Sequence, residues 1–125
     1  MGKFAIREKN GKYSFRLKAG NGEVIATSQM YKSVQTCKAG AQSVMQNAPV
    51  AALEDQTQEG FQVQKHPKFE VYKDSTGEFR FRLKAKNGQN IAASEGYTAL
   101  HSCLNGIESV RKNAQGAAVE MEEKE

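Results

Sequence analysis

The sequence predicts an α+β fold: two tandem β-β-β-α-β repeats sharing one mainly antiparallel sheet, with two helices on one face. Two observations predict it. The stretch FRLKAGNG beginning at Phe15 returns as FRLKAKNG beginning at Phe81. Within each copy, three runs of alternating apolar and polar residues give way to apolar residues at helical spacing.

The first strand is read from Phe4 and Ile6 alternating with Ala5 and Arg7. Asn10-Gly11 follows, a hairpin signal because both residue types tolerate positive φ. Tyr13, Phe15, Leu17 and Ala19 then alternate with Ser14, Arg16 and Lys18, giving a half-buried second strand. Asn21-Gly22 makes the next hairpin, and Glu23 to Ser28 forms a short third strand. Val34, Cys37, Ala41, Val44 and Ala48 fall at helical spacing; in the second copy the stripe is Leu100, Cys103, Leu104, Ile107 and Val110. Ser33 or Thr98 is placed to cap the helix entries, and Pro49 and Gly116 to end the helices. Val50 to Leu53 and Ala117 to Val119 read as fourth strands.

The duplication covers nearly the whole chain. Phe4 aligns with Phe69 and Lys9 with Lys73, and after one extra residue in the second turn Gly11 aligns with Gly77, Tyr31 with Tyr97, Cys37 with Cys103 and Gly40 with Gly106. Roughly half the aligned positions are identical, the mark of a tandem repeat. The expected boundaries are repeat one at 1–54, a linker at 55–68, repeat two at 69–119 and an acidic tail at 120–125. A unit of about 60 residues buries little core alone, so the two repeats are expected to form one structural domain. In the polar linker, Phe61 and Val63 alternate, consistent with a short extra strand or a segment lying over an edge.

The pattern FRLKA-x-NG, then IA-x-S, then a Tyr, then a C-x-x-G helix ending in NA resembles the YegP-like family of small bacterial proteins. That resemblance implies β3-α-β units, as tandem copies or as two subunits, that share one sheet and exchange their C-terminal strands. Val50 to Glu54 would then pair with the second copy's strands. The family has no assigned activity. The long linker is the departure from its pattern.

Composition narrows the function classes. The chain has 125 residues and a net charge of +4. The tail EMEEKE holds four Glu against one Lys, leaving the rest at +7. A basic body with an acidic tail suits a polyanion partner, but many soluble domains carry such a charge for solubility alone, and that is the stronger reading of the charge by itself. No apolar run approaches the roughly 18–20 residues needed to span a bilayer, and no secretory h-region is evident, so a cytoplasmic, non-membrane protein is expected. Cys37 and Cys103 lie on the apolar helical stripe and form no C-x-x-C, so they read as packing residues. His66 and His101 have no ligand-spaced companions, Asp55 and Asp74 form no carboxylate pair, and no phosphate-loop motif occurs. The expectation is a binding module with no catalytic residues, metal or cofactor.

One constellation remains. Arg16 and Lys18 on the second strand, and Arg80, Arg82 and Lys84 on its counterpart, alternate onto the face away from the helices, with Arg7 beside them. Clustered, protruding cations are what phosphate binding needs, and the plan looks like the arm-type DNA-binding domains of integrases. The expected partner is nucleic acid or another polyanion. The alternative is a protein-protein or self-association module working through sheet edges or the same face. Cross-strand carboxylates such as Glu70 or Glu78 would instead leave a solvated, charge-paired surface.

Overall fold

In the computed structural model, which describes residues 2–122, β1 (Lys3–Lys9) turns into β2 (Lys12–Lys18) and then β3 (Val24–Thr27). At the first turn Asn10 and Gly11 both take positive φ, 53° and 77°, as a two-residue hairpin requires. Helix α1 (Val34–Asn47) follows, then a 3₁₀ turn at Ala48–Val50 and β4 (Ala52–Asp55). The second copy gives β5 (Lys68–Lys73), β6 (Phe79–Lys84), β7 (Asn90–Ala93), α2 (Leu100–Ala114) and β8 (Ala118–Met121).

All eight strands form one sheet in the order β4-β5-β6-β7-β3-β2-β1-β8. The hairpins are antiparallel, but β4 runs parallel to β5 and β8 parallel to β1. Each repeat therefore sends its last strand to the other repeat's half. The parallel neighbours β4 and β5 are joined by the linker between them, whereas each helix carries the chain from the middle of the sheet to one of its outer strands, α1 from β3 to β4 and α2 from β7 to β8. At the centre, β3 meets β7 through the single antiparallel pair Thr27–Ala93.

The helices cover one face. Beneath them Phe4, Phe15, Phe69 and Phe81 are fully buried. Phe4 and Phe15 meet edge to face at 5.4 Å, and Phe69 and Phe81 at 5.9 Å. Tyr31 stacks on Phe15, and Tyr97 on Phe81, both at 6.4 Å. This explains the glycine of the C-x-x-G helix: a Cβ at Gly40 or Gly106 would collide with the Tyr31 or Tyr97 hydroxyl. The two copies join also through Arg111 of α2. Its guanidinium donates to the Ala48 and Ala51 carbonyls at the end of the first helical segment and lies 4.9 Å from the Phe69 ring.

Several expectations need correction. Lys73 lies opposite Phe79 as Glu8 lies opposite Tyr13, so its counterpart is Glu8 and not Lys9. Ser33 caps α1 by accepting from the Thr36 N–H, but α2 has Ala99 at its N-cap, without a side-chain acceptor, and Thr98 stands one position too early. Pro49 sits inside the 3₁₀ turn rather than ending α1, whereas Gly116, at φ 66°, does follow the end of α2. The fourth strands run two residues further than their apolar cores, to Asp55 and Met121. They pair through backbone, so charged residues continue them. Phe61 and Val63 form no strand and are exposed. Instead the linker lies over the β4–β5 edge, where the Gln64 N–H donates to Glu54. Tail residues 123–125 lie outside the described residues.

Cys37 and Cys103 are free and fully buried in the core, and burial pushes both thiols up to about 11. Native-state labelling by thiol reagents is expected to be slow at neutral pH, because little thiolate is present and access needs opening. Cys→Ala at either position is expected to cost on the order of 1 kcal/mol. Labelling kinetics with and without denaturant, together with thermal unfolding of the variants, check this. Rapid labelling of the native protein would contradict it.

Candidate functional site: the open sheet face

Strand alternation decides which side chains reach the uncovered face. On β2, Phe15 and Leu17 point to the helices, so Arg16 and Lys18 point away; on β6, Phe81 and Leu83 do the same, leaving Arg80, Arg82 and Lys84 outside. All five expected cations thus share the open face.

They do not form two adjacent rows. Arg16 pairs with Thr27, Thr27 with Ala93, and Ala93 with Arg82. Arg16 and Arg82 therefore lie in one cross-sheet row, three strand spacings or about 14 Å apart. The odd number of antiparallel steps makes β2 and β6 run oppositely, so Lys18 and Lys84 lead toward opposite ends of the face. Between the arginines the row holds only the small side chains of Thr27 and Ala93, and at this β3–β7 seam Thr27, Ser28, Gln29, Asn90 and Ala93 line a shallow trough of about 240 Å³.

Nor are the cations bare. Arg16 Nη2 donates to both oxygens of Glu122 at 2.7 Å, and Lys18 Nζ and Arg7 Nε lie 3.2 and 3.7 Å from the same carboxylate. Arg80 Nε donates to Asp74 at 2.6 Å. Arg82 Nε donates to Glu70 at 2.5 Å, with its guanidinium 4.3 Å from the Tyr72 ring. Among the described residues, Lys84 has no carboxylate within ion-pair distance. The expected stripe is thus a lattice of ion pairs with a residual positive balance. Burial works to raise the Glu122 carboxyl, but hydrogen bonds from Arg16 and Lys18 and their charges hold it below its ordinary 4.5. Glu70 is lowered in the same way by Arg82 and Lys68. Asp74 is held well below the usual carboxylate range by the hydrogen bonds of Thr76 and Arg80.

At the β4–β5 end the pairing becomes a buried network. Lys68 Nζ donates to Glu54 at 2.8 Å and lies 3.2 Å from Glu70, and all three side chains are almost wholly buried. Glu54 also accepts from Gln56 and from the Gln64 N–H. Of these partners, sequence reasoning weighed only Glu70. Asp74 was legible as a turn residue, and the D-x-T spacing that brings the Thr76 N–H to its carboxylate is a local signal. Glu122 carried no local signal. Its place follows from the parallel pairing of β8, whose end carries the Glu122 N–H to the Ile6 carbonyl.

The model of a domain of unknown function, DUF1508, matches residues 8–55 and again 74–120. The chain belongs to the DUF1508 family. DUF1508 relatives include the UPF0339 protein YegP of Yersinia pestis, 36% identical over 120 residues that cover 95% of this chain and 94% of that one. A UPF0339 protein of Treponema denticola is 64% identical over 52 residues, which is 42% of this chain but 90% of the relative. One repeat thus accounts for nearly all of that shorter protein. The solution structure of yegP from E. coli, a protein of unknown function, superposes with a TM-score of 0.77 at 34% identity, covering 96% of this chain and 91% of that chain. The family, the duplicated fold and the shared sheet agree with the resemblance read from FRLKA-x-NG and C-x-x-G. No described helix is long and apolar enough to cross a membrane.

Proposed function

We propose that the protein is a non-enzymatic binding module whose open sheet face takes an extended polyanion such as nucleic acid. The observation that carries the reading is the cross-sheet row Arg16–Thr27–Ala93–Arg82, which sets two arginines on either side of two small side chains on the face no helix covers. Lys18 and Lys84 extend it diagonally, and among the described residues Lys84 has no carboxylate to displace. Salt bridges on the solvated part of the face are worth little individually, so a phosphate can replace a carboxylate at modest cost. With no base-reading element in the trough, affinity is expected near 10⁻⁴ to 10⁻⁶ M at physiological salt and nearly independent of sequence.

Fluorescence anisotropy with labelled duplex and single-stranded oligonucleotides, at low and physiological salt, tests the reading. About four neutralised phosphates give a slope of log K against log salt near −3.6 for duplex DNA. The discriminating variant is Lys18→Glu with Lys84→Glu, because neither lysine is buried. Substituting Arg82 would instead strip a partner from the nearly buried Glu70 and confound folding with binding. Absence of binding by wild type at low salt, or equal binding by the double variant, would overturn the reading.

A further inference from the structure

The two halves of the face pair their arginines differently: Glu70 stands opposite Arg82, but its counterpart opposite Arg16 is Ala5, and the carboxylate there comes from Glu122 instead. Glu122 and Gln56 are topological equivalents: each follows an exchanged strand, and each donates its backbone N–H at 2.8 Å to the neighbouring strand, to Ile6 and Val71 respectively. Gln56 is neutral and turns to Glu54. Glu122 is charged and reaches into the cluster of Arg7, Arg16 and Lys18. Glu122 is thus shared among cations, and among the described residues the Arg16 Nε–H is buried without a hydrogen-bond acceptor. A buried donor left unmet is costly, and a carboxylate offers only two oxygens. A terminal or inorganic phosphate group offers more oxygens and more charge than a carboxylate, and bidentate Arg–phosphate contact is a favoured geometry.

We propose that Arg7, Arg16 and Lys18 form a phosphate-binding site that Glu122 occupies in the free protein, and that a phosphate group displaces Glu122 and accepts from Arg16 Nε. The inference rests on the polyanion reading and locates its first contact in repeat one. The tail residue acts as an internal competitor from the end of an exchanged strand; in repeat two Gln56 takes that place, and Arg82 and Arg80 meet the carboxylates of their own repeat, Glu70 and Asp74.

Glu122→Gln tests this while retaining the backbone bond to Ile6. Full-length wild type, Glu122→Gln, and Glu122→Gln with Lys18→Gln are first compared by thermal unfolding, then titrated with inorganic phosphate while the Arg16 Nε–H resonance is followed by ¹⁵N NMR. In parallel, a 5′-phosphorylated oligonucleotide carrying a 3′ label is titrated by anisotropy. Glu122→Gln is expected to tighten binding of both probes about 2- to 5-fold, the scale of removing one competing surface charge. The gain is lost in the double variant. If Glu122→Gln binds both probes no better than wild type, the gating proposal is overturned, and wild-type oligonucleotide binding then decides the open-face reading by itself. If Glu122→Gln binds phosphate while wild type binds no oligonucleotide at any salt, the site stands and the extended-face reading falls. If phosphate binding tightens without moving the Arg16 resonance, the assignment to this cluster is overturned.

Discussion

Expressed separately, residues 1–60 and 61–125 are expected to lose the monomeric fold entirely. The first fragment keeps β1–β3 but carries β4 with no β5 to receive it, and its β1 loses β8. The second has the reciprocal defect. Each half would expose an unpaired strand edge and half of a core too small to be stable alone. Domain exchange between identical halves restores every pairing, so homodimers or unfolded chains are the expected products. Mixing the two fragments is expected to reconstitute a one-to-one complex with the spectrum of the intact chain. Amide NMR spectra and sedimentation of each fragment and of the mixture check this. Well-dispersed monomeric spectra from either fragment alone would refute it.

The second large effect lies in the buried network. Removing Lys68 leaves Glu54 charged, buried and without its main partner, and breaking such a pair costs about 3–5 kcal/mol. For a chain of this size that is a fall in Tm of roughly 10–25 °C. Lys68→Met alone is expected to show this loss. Lys68→Met with Glu54→Leu is expected to recover much of it, since replacing both charges with apolar groups removes the desolvation cost with the attraction. Equal losses in the single and double variants would mean that packing, not charge, dominates the site.

The same network sets an acid limit. Burial works to raise the Glu54 carboxyl, but hydrogen bonds from Lys68, Gln56 and the Gln64 N–H, with the Lys68 charge, outweigh it and hold the group at about 2 against an ordinary 4.5. A carboxyl depressed in the folded state stabilises it fully above the unfolded value. That stability is lost as pH falls from about 4.5 through about 2. Glu70 and Glu122 are lowered too and add in the same direction. Denaturant unfolding between pH 2 and pH 6 is expected to show a steep loss on the acid side, flattened by Glu54→Gln. An unchanged slope in that variant would place the acid sensitivity elsewhere.

What the sequence by itself determined was everything written in local periodicity. Alternation along Phe15–Leu17 and Phe81–Leu83 fixed which side chains face the helices. Asn10-Gly11 fixed the first hairpin, and the Cys37 and Cys103 stripes fixed the buried helical faces. The repeat placed all five cations on one open face, because period two allows no other assignment once the apolar residues are buried. Only the tertiary structure decided what those cations meet. Arg16 and its carboxylate partner Glu122 are 106 residues apart, and their meeting depends on β8 crossing to β1 in a parallel register that no local pattern encodes. The linker likewise closes over Glu54 and Lys68 because β4 crosses to β5, turning what reads as a solvated strand end into a buried ionic network. Faces are local properties of a strand. Neighbours across a sheet are set by where the chain returns, and here two crossovers turned a basic stripe into a paired surface.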